Sequence, residues 1–154
     1  MVVSDKGETI NKEVEIARLA ILSLLAAIGL GSGSSAADLV VSATGLRSAA
    51  GDLRVAICER EHFLEPSCAF GASAPAAEGR VTIRDVPPGE YAVQAFHDEN
   101  RNGKIDRNLL GRPTEGMAFS RDAPMRFGPP SYADAAVVIP PGGGRLTMTM
   151  RYFR

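Results

Sequence analysis

The densest set of oxygen donors in the sequence is His97-Asp98-Glu99-Asn100-Arg101-Asn102-Gly103-Lys104-Ile105-Asp106. Laid on a calcium loop, Asp98, Asn100 and Asn102 take positions 1, 3 and 5, and Gly103 takes position 6, where the chain turns sharply. Lys104 then offers its backbone carbonyl, Ile105 an apolar anchor and Asp106 a ninth-position ligand. Position 12, ordinarily a bidentate Glu, is Leu109, so the loop is not an intact EF-hand loop. Glu115 or Glu99 could complete the shell. Few carboxylates imply weak binding, about 10⁻⁴–10⁻³ M, with Ca²⁺ the candidate ion. The competing reading is an Asn/Asp/Gly turn whose side chains bond their own backbone.

The other reactive groups are sparse. His62 and His97 are the only histidines, and no Gly-x-Ser-x-Gly elbow exists. His97 beside Asp98 has the makings of a general base, but a hydrogen-bonded strand-end residue is the plainer reading. Glu99 and Glu115 are a carboxylate pair without an aromatic-rich cleft to serve. Cys58 and Cys68 read as a structural disulfide, and once bridged they leave too few ligands for a zinc site. A reactive thiolate would want a Cys-x-x-Cys spacing or a strongly cationic neighbourhood, and the spacing here is wider. The composition therefore favours a non-catalytic protein.

The amino terminus addresses the location. Leu19–Leu30 is uncharged and follows Arg18, and Ser35-Ala36-Ala37 fits a small-x-small cleavage site before Asp38. The run suits a signal peptide, with its apolar stretch of about 7–15 residues, better than a membrane span of about 20. Residues 1–37 are thus expected to be a signal helix with an atypical, acidic extension, and residues 38–154 one domain. An uncleaved anchor is the alternative, and a start codon placed too far upstream would explain the extension. No Cys lies near Ala37 to carry a lipid. The expected location is periplasmic or secreted, which suits the paired cysteines.

The formal net charge is −1 for 154 residues, which speaks against a nucleic-acid partner. All 10 Pro fall after residue 37, so no long amphipathic helix fits there. Alternation predicts strands at 39–44, 53–57, 81–84, 91–96 and 135–139, and a last one from Leu146 to Tyr152. Leu53, Val55 and Ile57 share one face, as do Leu146, Met148, Met150 and Tyr152. Pro87-Pro88-Gly89 is a turn. Residues 59–79 and 97–130 read as irregular, with a short extended piece at Met117–Phe119. The fold class is an all-β antiparallel sandwich of about seven strands. Arg101, Arg107, Arg112, Arg121 and Arg126 could form an anion-binding rim. Interspersed with Asp98, Glu99, Asp106, Glu115 and Asp122, they read more simply as a mutually neutralising surface.

Gly89-Glu-Tyr-Ala-Val-Gln-Ala-Phe-His-Asp-Glu-Asn100, Asn102–Asp106, Gly111-Arg-Pro-Thr-Glu-Gly116 and Phe127-Gly-Pro-Pro130 together resemble a family of small exported bacterial proteins known only as a domain of unknown function. The resemblance covers Asp38–Arg154. The Pro-Pro-Gly-x-Tyr turn is similar to that of transthyretin-like (prealbumin-like) and collagen-binding B-type sandwiches, and the ion loop to calcium loops of surface repeats in that wider group. The resemblance implies a transthyretin-like or immunoglobulin-like sandwich, an envelope location and no known activity. One transthyretin-like subgroup hydrolyses a purine-breakdown intermediate and ends Tyr-Arg-Gly-Ser; this chain ends Tyr152-Phe153-Arg154 and lacks that signature. The expected role is a non-catalytic module of the cell envelope, with an envelope protein or a small ligand as partner. The alternatives are a small-ligand carrier using the loops after Phe96 and Phe119, and a hydrolase centred on His97.

Overall fold

A computed structural model describes residues 35–153. The expected signal segment lies almost wholly outside the described residues. Eight strands follow in order: β1 (Ala37–Thr44), β2 (Asp52–Cys58), β3 (Phe70–Pro75), β4 (Arg80–Val86), β5 (Gly89–Asp98), β6 (Met117–Phe119), β7 (Ala136–Ile139) and β8 (Gly144–Thr149). They form a three-stranded sheet, β4-β1-β8, and a five-stranded sheet, β3-β2-β5-β6, with β7 also paired to β5. Strand β5 is long enough to serve two partners along one edge: Gly89–Ala92 meets β7 and Gln94–Phe96 meets β6. Among the described residues no helix is long and apolar enough to cross a membrane.

The core is the interior between the sheets. Leu39, Val41, Val81, Ile83 and Met148 enter from the smaller sheet, and Leu53, Val55, Ile57, Tyr91, Val93 and Ala95 from the larger. Period-2 alternation places these residues on one face of each strand, and burying that face is the main driving force for closing the sandwich. A second cluster lies on the outer face of the larger sheet. There Met117, Phe119 and Tyr132 pack with Phe63 and Phe96. Phe63 meets the Phe119 and Tyr132 rings edge-on at 5.9 and 5.8 Å.

The all-β sandwich holds, with corrections in detail. Among the described residues there are eight strands, against about seven expected. β3 occupies part of the segment read as irregular, because Gly-Ala-Ser-Ala carries no bulky side chain to announce a strand. It is an edge strand, held by β2 alone. β1 and β8 pair in parallel, Leu39 to Gly144 through Thr44 to Thr149, so the sandwich is not wholly antiparallel. β5 runs on to Asp98, taking His97 and Asp98 out of the expected loop. A helical turn, Tyr132–Ala135, precedes β7, capped by the Ser131 hydroxyl, which accepts from the Asp134 N–H.

Candidate functional site

Strand alternation sends His97 and Asp98 to opposite faces of β5. His97 turns inward and is fully buried. One ring nitrogen, Nε2, lies 2.7 Å from the Ala50 carbonyl, and the other, Nδ1, lies 2.7 Å from the Tyr152 hydroxyl. A carbonyl only accepts, so Nε2 carries the hydrogen and, in the neutral ring, Nδ1 accepts from Tyr152. Both nitrogens are engaged and neither faces solvent. Arg47 stacks over the Tyr152 ring at 4.6 Å and pairs with Glu99, whose Oε1 also accepts from Ser48 at 2.9 Å. The Arg47 hydrogen bonds hold the Glu99 carboxyl below its ordinary pKa.

Asp98 turns outward and is nonetheless fully buried, at the diagonal position to Arg54 on β2. Its Oδ1 accepts from the Asn102 N–H at 2.9 Å. Its Oδ2 accepts from the Gly103 N–H at 2.8 Å and from Arg54 Nε at 2.6 Å. Burial opposes ionisation, yet the Gly103 N–H, Arg54 and the Asn102 N–H outweigh it and hold the Asp98 pKa below its ordinary value. The turn needs Gly103, whose φ is +76°.

The remaining loop residues close on one another. Asn100 and Asn102 donate from Nδ2 to the two oxygens of Asp106, at 2.7 and 2.9 Å. The Asn100 Oδ1 accepts from the Asn102 N–H at 3.1 Å, and the Asn102 Oδ1 accepts from the Lys104 N–H at 2.8 Å. Glu115, 3% exposed, reaches in from beyond the loop. Its Oε1 accepts from the Glu99 N–H at 3.0 Å and its Oε2 from the Asp106 N–H at 3.1 Å. One carboxylate thereby clamps both ends of the loop. Glu99 faces Arg47 and Ser48 and takes no part. Asp98, Asn100, Asn102 and Asp106 are therefore gathered on one turn. Among the described residues no three His, Cys, Asp or Glu side chains form a metal-binding group, so any ion here would draw on Asn amide and backbone oxygens.

Cys58 and Cys68 are bonded, with Cα atoms 4.5 Å apart. The bridge ties the buried end of β2 to the start of β3 and pins the intervening loop over the outer face of the larger sheet. Leu64, Glu65 and Pro66 of that loop face Lys104, Ile105 and Arg107 across a hollow of about 610 Å³, floored by Ala56, Phe96 and Met117. A second hollow adjoins it at Arg107, Met117 and Pro129 and includes Leu110, Arg112, Arg126, Phe127 and Phe153. This face brings together Arg107, Arg112 and Arg126 of the candidate rim and parts of the loops after Phe96 and Phe119; the contribution of Leu64–Pro66 was not visible in the sequence, because the segments that meet here are far apart along the chain.

Of the arginines singled out in the sequence, Arg101 alone makes a contact ion pair among the described residues, with Asp52 on β2. Asp98 pairs with Arg54, whereas Asp106, Glu115 and Asp122 accept from the uncharged Asn100 and Asn102 amides, backbone N–H groups and Thr149, and keep their charge. Among the described residues Lys104, Arg107, Arg112 and Arg126 have no salt bridge.

Taken together, these features define a disulfide-stapled, two-sheet β-sandwich with an Asn/Asp loop at one end of its longest strand. Residues 41–147, well over half of the sequence, match the family described as uncharacterized proteins conserved in bacteria (DUF2141), and the chain belongs to that family. No curated protein and no solved structure matches it.

Proposed function

We propose that the protein is a non-catalytic module of the bacterial cell envelope, a transthyretin-like sandwich that is exported and works in the periplasm or outside the cell. The observation that carries this reading is the Cys58–Cys68 bridge, because structural disulfides persist in oxidising compartments and are rare in the cytosol. The sealed environment of His97 supports a structural role for the residue best placed to be a base. Cell fractionation tests the location: the native protein is expected in the periplasmic or culture fraction, and recovery in the cytosol would overturn the reading.

Within that role, the 98–106 loop is a Ca²⁺ holder. Its support is the gathering of Asp98, Asn100, Asn102 and Asp106 on one turn, with the backbone pre-formed by Gly103 and Glu115; the Lys104 carbonyl is the expected backbone ligand. Rotating the two Asn amides would present oxygen instead of nitrogen toward Asp106. Arg54 already answers one oxygen of Asp98, which places the affinity at the weak end, about 10⁻³ M.

A further inference from the structure

The face built from the two adjoining hollows combines three features. The first is charge: Lys104, Arg107, Arg112 and Arg126 line it without a salt bridge among the described residues, and Glu65 is the only carboxylate in the lining. The second is exposed apolar surface. Leu109 and Phe127 are fully exposed, at 106% and 105%, and Leu110 is 81% exposed. Isolated exposed apolar side chains are ordinary, but Leu110 and Phe127 share one hollow with Arg107, Arg112 and Arg126.

The third is the way the leucines are held. Arg107 and Pro113 form a bridge, and between them the Asn108 Oδ1 accepts from the Leu110 and Arg112 N–H groups, both at 3.0 Å. Asn108 N–H donates to the Arg112 carbonyl and Gly111 N–H to the Asn108 carbonyl, each at 2.9 Å. The turn is built to project Leu109 and Leu110 away from the protein while keeping Arg107 and Arg112 at its base.

We propose that this face docks onto an anionic lipid surface, with Leu109, Leu110 and Phe127 inserted among the acyl chains and Arg107, Arg112, Arg126 and Lys104 on the headgroup phosphates. Charge complementarity selects an anionic occupant. Side chains that stand fully clear of the protein suit a surface they enter, rather than a ligand that enters the hollow. Apolar tips combined with nearby cations are the two signals that interfacial binding requires. Docking of this kind does not depend on ion binding by the 98–106 loop.

Vesicle flotation of the full chain tests it. The probe is phosphatidylglycerol mixed into phosphatidylcholine, against phosphatidylcholine alone. Binding is expected with phosphatidylglycerol, and is expected to weaken in high salt. A Leu109→Ser, Leu110→Ser, Phe127→Ser variant should lose at least about tenfold in partitioning. Arg107→Gln, Arg112→Gln and Arg126→Gln should each lose roughly fivefold. Insertion of the apolar run Leu19–Leu30 would show on phosphatidylcholine alone, so the quantity compared between wild type and variants is the gain on adding phosphatidylglycerol. The chain has no Trp, so Phe127→Trp supplies a single reporter. Its emission should shift to the blue on phosphatidylglycerol vesicles and be quenched by brominated acyl chains. Three results would each overturn the proposal: serine and glutamine variants that float like the wild type, indole emission of the Phe127→Trp protein that vesicles leave unmoved, or binding of monomeric dodecyl phosphate with vesicles ignored.

Discussion

The hydroxyl of Tyr152 lies 2.7 Å from His97 Nδ1, joining the last residues of the chain to the far end of β5 across the edge of the sandwich. Gly116 makes room for this contact: a Cβ at that position would sit 2.5 Å from the Tyr152 ring. Gly116→Ala must therefore displace the ring, and a loss of about 1–3 kcal/mol is expected. Tyr152→Phe, which leaves the buried Nδ1 without a partner, should cost about 1–2 kcal/mol. Urea denaturation of the two variants checks both.

Asp98 gives the fold a dependence on acid. Its folded pKa lies below the ordinary 3.8, so ionised Asp98 stabilises the native state at any pH above that value. As pH falls below 3.8 toward the depressed folded value, protonation removes the contribution. Glu99, also depressed, acts in the same direction below its ordinary 4.5. Thermal melting between pH 6 and about 2.5 should show a steep loss below about 4, and Asp98→Asn should flatten it. At neutral pH, Asp98→Asn should cost about 2–3 kcal/mol, because the carboxamide cannot accept from Arg54 and both N–H groups.

The staple constrains the unfolded chain. The bonded cysteines are separated by 10 positions, and chain-entropy arithmetic for such a loop gives about 2.5–3 kcal/mol. Reduction, or the Cys58→Ala, Cys68→Ala pair, should lower stability by that amount. It should also expose Phe63, which the loop holds against Phe119 and Tyr132. Melting with and without reductant measures the first effect, and proteolysis within residues 59–67 the second.

Calcium binding predicts a stabilisation that grows with concentration. At ten times a Kd of about 10⁻³ M, the gain is about 1.4 kcal/mol. Asp106→Ala should abolish the gain while leaving the Asp98–Arg54 pair intact. Melting in calcium, against the same ionic strength of sodium, is the check; an unchanged midpoint removes the ion from the account.

How much of this was legible in the sequence follows from the range of each interaction. Alternation at Leu53-Val55-Ile57, at Val81-Ile83 and at Met148-Met150 marks the core faces, because those choices are local. The Cys58–Cys68 pairing is local too, and it is present. β3 escapes notice because its small side chains carry no pattern. The parallel β1–β8 pair escapes because nothing local specifies which distant strand closes a sheet. The loop residues Asp98 to Asp106 were visible as a cluster. That Asp98 belongs to a strand and answers Arg54, and that Glu115 clamps both loop ends, are tertiary facts. The same holds for the arginines, of which Arg101 alone makes a contact ion pair among the described residues.

Mass spectrometry of the native protein tests the central claim of export most directly. The account predicts a chain that begins at Asp38 and weighs two hydrogens less than its reduced form. An intact polypeptide starting at Met1 with both thiols free would contradict it.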